Sequence, residues 1–297
     1  MALTFNVGEM RVDRVIEQEL PGFDPFEFFP NLTKEELEEH RSMLEPNALD
    51  PASGLLVFTM QSYVVRVGGL TILIDSCIGN DKDRPTRPLW HMKTDTTYMD
   101  ALKRAGLTVN DIDMVMCTHL HPDHVGWNTK LENGRWVPTF PNAKYVFSKM
   151  ELDYWTEQNA KKPIGHFVDS VLPIVEAGKT ELVTSDHELT HGVQLLPTPG
   201  HTPDHYSVRL SSGGSEAIVT GDLIHSPLQC ACTHLHARPD VDPVQGLATR
   251  NAIMEKYADT DTLIAATHFP SPSLGQFIRN GDAFGYRYRE GLSLIHI

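Results

Sequence analysis

Three histidines and an aspartate fall within six residues of this chain, as His119, His121, Asp123 and His124. Imidazoles and carboxylates mixed in this way suit zinc and its neighbours among the divalent metals. The apolar run Met114, Val115, Met116, Cys117 precedes them and reads as a buried strand that stops at Thr118. His119 and His121 are two apart, so an extended backbone would project both to one side. Pro122 then breaks the extended path and lets Asp123 and His124 turn towards a second position. The spacing suggests two adjacent metals.

That cluster alone leaves each cation short of ligands, and three later segments offer more. His201 follows an apolar run from Val193 and the turn Pro199-Gly200. Asp222 ends the run Ala217, Ile218, Val219, Thr220, Gly221, and His268 ends the run from Leu263 to Thr267. The seven candidate ligands therefore stand at strand ends. Two cations roughly 3.5–4 Å apart lower the pKa of a shared water and yield a bridging hydroxide nucleophile. The expected reaction is hydrolysis, with no need of a serine or cysteine nucleophile. Asp123, next to that hydroxide, would also relay a proton to the leaving group. Nothing in a set built only from histidine and aspartate points to a redox cofactor.

The elements that must position these residues are coarse but readable. Strands are expected at 55–67 and 70–75, joined by a hairpin turn at Gly68-Gly69. Helices are expected at 97–105, ended by Gly106, near 148–158 and at 244–258. Thr33 and Glu36 form a capping box that would start a helix running towards Met43. Asp75, at the end of the second of those strands, is either a turn former or a carboxylate that orients a ligand histidine. Trp127, Trp90, His91, Phe28 and Phe29 lie near the motifs or in the N-terminal extension. They could line an apolar pocket, although for each ordinary core packing is the more expected role.

Composition sets the outer limits. The chain has 297 residues, 40% of them hydrophobic, and a formal charge of −14. That length is compatible with a single domain spanning 1–297, with residues 1–53 as an N-terminal extension. The negative balance disfavours a nucleic-acid partner. No segment approaches the roughly 20 apolar residues of a membrane span. The first residues carry charge where a secretory signal needs an apolar core, so the expected location is cytoplasmic. Four cysteines make no disulfide framework, and Cys230 and Cys232 read as inert thiols. The tail from Glu290 continues no pattern, and His296 receives no role.

The run from His119 to His124 matches the H-x-H-x-D-H motif of the metallo-β-lactamase superfamily, which the chain resembles over roughly residues 55 to 290. Gly200-His201-Thr202-Pro203, Gly221-Asp222 and Thr267-His268 match the later motifs in order. The resemblance implies an α/β fold, the αββα sandwich of the metallo-β-lactamase type. It implies that His119, His121 and His201 hold one metal, that Asp123, His124 and His268 hold the other, and that Asp222 bridges. It also implies that Asp75 hydrogen-bonds a ligand histidine. The expected cofactors are two divalent metal ions, zinc first among them.

Asp222 stands where β-lactamases of the superfamily commonly have cysteine, which counts against that activity. The stretch His201-Thr202-Pro203-Asp204-His205 is most similar to N-acyl-homoserine lactonases and methyl parathion hydrolase, although Asp204 replaces their usual glycine. His225 occupies the position of the lactonases' substrate-contacting tyrosine, and is expected to donate to the substrate carbonyl. The expected enzyme is a hydrolase of lactones or other carboxylic esters, with a small-molecule substrate and a homodimer as one oligomeric option. Phosphotriester hydrolysis, thioester hydrolysis and a non-catalytic metal-binding protein are the alternatives, in that order.

Overall fold

A computed structural model describes residues 4–289. The described residues cluster into two compact units, one made of residues 4–17 and 60–187, the other of residues 18–59 and 188–289. The tail from Glu290 and His296 lie outside the described residues.

The first seven-stranded sheet has the order β1 (Thr4–Val7), β2 (Met10–Phe23), β3 (Leu56–Val67), β4 (Leu70–Ile74), β5 (Met114–Met116), β8 (Lys144–Ser148) and β9 (Thr180–Val183). A separate two-stranded hairpin, β6 (Thr129–Glu132) with β7 (Arg135–Pro138), lies between β5 and β8 in the chain. Residues 4–23, read from sequence as part of an extension, thus begin this sheet. Gly68 and Gly69 turn β3 into β4 with positive φ at both positions, as a two-residue hairpin requires.

β4, β5 and β8 pair in parallel, and their Ile72, Leu73, Ile74, Val115, Tyr145, Val146 and Phe147 are fully buried. Such continuous apolar strands are buried on both faces, and parallel neighbours bring their C-terminal ends to one edge. Asp75 therefore emerges beside the loop that starts at Thr118. Around this part of the sheet lies a core that includes Val64, Leu102, Trp127, Phe140, Trp155 and Phe167.

The second sheet has the order β10 (Glu188–Thr190), β11 (Val193–Pro197), β12 (Tyr206–Ser212), β13 (Ser215–Val219), β14 (Leu263–Ala265), β15 (Leu274–Asn280) and β16 (Ala283–Tyr288). All its pairings are antiparallel except β13 with β14. Two antiparallel steps make β11 point the same way as β13, so β11, β13 and β14 all end at one edge. These are the strands that carry His201, Asp222 and His268.

The helices follow their sequence signals closely. They occupy Lys34–Leu44 with the Thr33/Glu36 capping box formed, Thr97–Arg104, Lys149–Lys161 with Ser148 as N-cap, and Pro243–Tyr257 with Asp242 as N-cap. No helix among the described residues is long and apolar enough to cross a membrane.

Candidate functional site

The first unit holds His119, His121, Asp123 and His124 on one loop. Pro122 opens a single helical turn, Pro122–Val125, with His121 at its N-cap. The extended path thus ends at His121, and Asp123 and His124 rise from a helix. The ring centroids of His119 and His121 lie 4.6 Å apart, and those of His119 and His124 lie 4.1 Å apart. A second loop braces this one through Ser76 N to His124 O at 2.8 Å and Gly126 N to Cys77 O at 2.7 Å. Only glycine fits at 126, because a Cβ there would meet the Ile78 carbonyl oxygen at 1.8 Å.

Asp75 organises the back of this cluster. Its Oδ2 accepts from His124 Nδ1 at 2.9 Å. Its Oδ1 accepts from the Thr118 backbone N at 2.8 Å, and the Thr118 hydroxyl donates to the same carboxylate at 3.0–3.1 Å. That hydroxyl oxygen is left to accept from His119 Nδ1 at 3.1 Å. A buried carboxylate thereby fixes two imidazoles, one directly and one through Thr118.

In the second unit the residues come from separate strand ends. His201 follows Gly200, whose φ of +129° suits glycine and whose Cβ would lie 2.1 Å from Gly246 N. Asp222 sits in a 3₁₀ turn after β13, and His268 follows β14 by three residues. Asp222 is the hub. Its Oδ1 lies 2.9 Å from His268 Nε2, and its Oδ2 lies 3.1 Å from both His201 Nε2 and His225 Nε2. The ligand atoms of Asp222, His225 and His268 all lie within 4.8 Å of one another.

The far sides of these rings are also held. His201 Nδ1 donates to Asp240 Oδ1 at 2.7 Å, and His268 Nδ1 to the Thr59 carbonyl at 3.1 Å. His205 turns its Nε2 to accept from the Asp222 backbone N at 2.9 Å, which fixes the hub's main chain. With Nδ1–H committed to an oxygen, a neutral imidazole presents its Nε2 lone pair forward. His119, His124, His201 and His268 all follow this pattern, and it is the arrangement a metal-binding histidine needs.

Electrostatics follow from the shared carboxylate. Burial alone would lower the His201 pKa, but Asp222 and Asp240 outweigh it and push it up to about 9. Burial opposes ionisation of Asp240 too, yet His201 holds its carboxyl below the usual range. For His225 burial wins over Asp222, helped by His201 and His268, and its pKa is lowered. Anionic oxygen surrounded by imidazoles is a site where a cation can replace protons.

His225 is buried, and its backbone N donates to Gln229 Oε1 at 2.8 Å. Its ring stacks on His268 at 5.5 Å and meets the edge of Phe28 at 5.1 Å. Phe28 in turn packs on Phe23 and Phe58, with centroids at 5.5 and 4.8 Å. Main-chain and side-chain bonds from Arg238 and Asn31 tie the segment carrying Phe28 to residues 234–238. Of the other sequence-selected aromatics, Trp127, Trp90 and Phe29 pack as core, whereas His91 is exposed. Trp127 stacks on Tyr98 at 5.4 Å and donates to Glu17, while Trp90 and Phe29 are buried. His91 Nδ1 accepts from the Arg84 backbone N. Burial pushes the Cys230 and Cys232 thiols up to about 12 and about 11, so both stay protonated.

Asp240 was not anticipated from sequence. Nothing local marks it, since its partner lies 39 positions earlier. The pairing arises because Val241 N and Asp242 N donate to the carbonyls of His201 and Gly200 at 3.0 and 2.9 Å.

The metallo-beta-lactamase superfamily profile matches residues 58–268, well over half of the chain, and the chain belongs to that superfamily. Its two-sheet α/β fold is the metallo-β-lactamase fold. An N-acyl homoserine lactonase from Bacillus sp. is 28% identical over 128 residues, covering 43% of this chain and 44% of the relative. A beta-lactamase-like protein 2 homolog from Caenorhabditis elegans is 27% identical over 171 residues, covering 56% of this chain and 46% of its own length. The matched stretch thus spans less than half of these relatives. Among solved structures, AidC, a dizinc quorum-quenching lactonase in complex with a product, aligns with TM-score 0.80 at 21% identity over 98% of both chains. Hydrolase AbOPH of the beta lactamase superfamily aligns with TM-score 0.81, also at 21% identity over 98% of both chains.

Proposed function

We propose that the chain is a dinuclear metal-dependent hydrolase of lactones or other carboxylic esters. The observation that carries this reading is the hub at Asp222, where His201 and His268 approach different oxygens of one carboxylate. A carboxylate so flanked is suited to bridge two cations. Following the superfamily motif, His119, His121 and His201 would hold one ion, and Asp123, His124 and His268 the other. Two divalent cations bound there, zinc first among the candidates, would activate water and polarise the ester carbonyl.

The chain's own residues supply the remainder. Asp75, Thr118, Asp240 and Thr59 fix imidazole orientation in advance, so no reorganisation is needed as charge develops. Asp123, at the start of its helical turn, would carry a proton to the leaving oxygen. His225 would donate to the carbonyl oxygen as it becomes negative, from a buried position where such a bond is strong. Phe28 and Phe58 beside it give the acyl or alcohol arm an apolar wall, which favours neutral substrates.

The test is metal analysis of the purified protein together with turnover of lactone, aryl ester, thioester, β-lactam and phosphotriester substrates. About two ions per chain and a preference for lactone or aryl ester are expected. A well-folded, metal-replete preparation with one ion per chain would overturn the paired assignment. A preference for phosphotriesters over every carboxylic ester would overturn the substrate class.

A further inference from the structure

The first unit holds another imidazole beside the ligand loop that the reading above leaves unused. His166 sits at the start of the helix Gly165–Ser170, which packs on the helical turn carrying Asp123 and His124. Trp155 links it to the cluster: the Trp155 ring meets His121 at 5.4 Å and His166 at 5.1 Å, edge-on to both. The Trp155 indole is fixed by its Nε1 donating to Glu151 at 3.0 Å. The helix is fixed as well, since Asp169 takes both arms of Arg84 at 2.7 and 2.8 Å. His166 Nε2 is buried and has no hydrogen-bond partner among the described residues.

A buried ring nitrogen held this rigidly, without a protein partner, is a hydrogen-bonding group kept for something that arrives. We propose that His166 is a substrate-contacting residue, with Trp155 as its apolar floor. Its Nε2 hydrogen-bonds a polar atom in the acyl arm of the ester, an amide or second carbonyl, at a distance from the scissile bond. This rests on the ester-hydrolase reading and narrows it to acyl chains that carry such a group. Burial, and then the neighbouring Arg84 charge, push the His166 pKa down to about 4. The ring is therefore neutral in ordinary buffers, which suits an uncharged amide better than a carboxylate.

The test compares N-hexanoyl-homoserine lactone, which carries an acyl-chain amide, with γ-decalactone, which does not. His166→Phe keeps a ring against Trp155 and removes the nitrogens; His166→Leu serves if that variant misfolds, and His166→Gln restores a polar group. KM for the amide-bearing lactone should rise about tenfold in His166→Phe, the scale of one lost hydrogen bond. The value for γ-decalactone should stay within about twofold, and His166→Gln should recover part of the difference. Binding of the product N-hexanoylhomoserine, measured by calorimetry, should weaken by the same factor. Metal content and Tm should not change. Equal KM and equal product affinity in wild type and His166→Phe would overturn the proposal, as would equal losses on both lactones or loss of metal. A wild-type protein that turns over no ester and binds no product would instead sink the ester reading itself, and this proposal with it.

Discussion

The two histidine groups reach similar chemistry by opposite routes. In the first unit, four residues from one six-residue loop are braced from behind by a carboxylate, Asp75, that is not itself a ligand candidate. In the second, residues spread from 201 to 268 converge on a carboxylate, Asp222, that is one. Local chain geometry defines the first group, so its shape depends on backbone: Pro122 opening a turn, and glycine at 126. Parallel strand ends define the second, so its shape depends on sheet register and on the hub. Damage at the hub should therefore spread to three imidazoles, whereas damage behind the loop should be partial.

The largest effect is expected at that hub. Asp222→Ala should lower metal occupancy and reduce kcat/KM by more than about 10³, beyond the 10–100-fold typical of residues behind a ligand. Most of the fold should survive, because Asp222 follows β13 rather than pairing within it, and far-UV circular dichroism should change little. Full activity at full occupancy would remove Asp222 from the site and end the contrast between the two groups.

Next comes His225, which touches the hub and is assigned to substrate. His225→Ala should retain both metal ions and lose about 10²–10³ in kcat/KM on the preferred lactone or ester. His225→Tyr should shift preference towards lactones. Loss of one ion in His225→Ala would make it a ligand instead, a use its 3.1 Å approach to Asp222 also permits. Near-wild-type kinetics on all substrates would leave it a packed histidine beside Phe28.

A smaller effect separates the two supporting carboxylates. Asp75→Asn and Asp240→Asn should each weaken metal binding by about 10–100-fold. Asp75 also holds the Thr118 backbone and hydroxyl, while Asp240 holds one imidazole and the backbone N of Ala237. Asp75→Asn should therefore cost more thermal stability as well, by about 1–3 kcal/mol for a buried partner left unmatched. Equal Tm values for the two variants would show that the Thr118 network does not carry the loop.

The same contrast explains what could be read from sequence. His119 to His124 stand out because their spacing and the preceding apolar run are local. His201, Asp222 and His268 were legible as strand-end residues, since an apolar run ending in a ligand type needs no knowledge of pairing. The fold beyond mixed α and β came from the motif resemblance, because alternation along a strand does not reveal its neighbours. Asp240 was invisible for a related reason: a loop residue laced onto another loop leaves no periodic trace. Asp75 was ambiguous, because a turn-forming aspartate and an anchoring one look alike until Thr118 and His124 are in place. Residues 4–23 looked like an extension, since β1 and β2 carry polar and charged positions that blur the alternation.

The smallest expected effect on the site itself concerns charge in the first unit away from the histidines. Lys82 is fully buried, donates to Thr129 Oγ1 at 2.6 Å, lies 3.8 Å from Asp169 and sits 3.6 Å over the Trp136 ring. Burial outweighs the attraction of Asp169 and lowers its pKa from 10.5 to about 7. A lysine whose folded pKa lies below its unfolded value binds fewer protons in the folded state between the two. Stability should therefore rise with pH from about 7 towards 10.5, by at most about 1.4 kcal/mol per pH unit from this group. Below pH 7 its contribution should be flat. Lys82→Met keeps the apolar stem near Trp136 and leaves Asp169 its two bonds to Arg84. Chemical denaturation at pH 7 and pH 9.5 should show the variant gaining on wild type at the lower pH and losing that advantage at the higher one. Metal content and turnover should be unaffected. Parallel pH profiles for the two proteins would mean that Lys82 keeps its proton when buried, with Asp169 supplying more than burial removes.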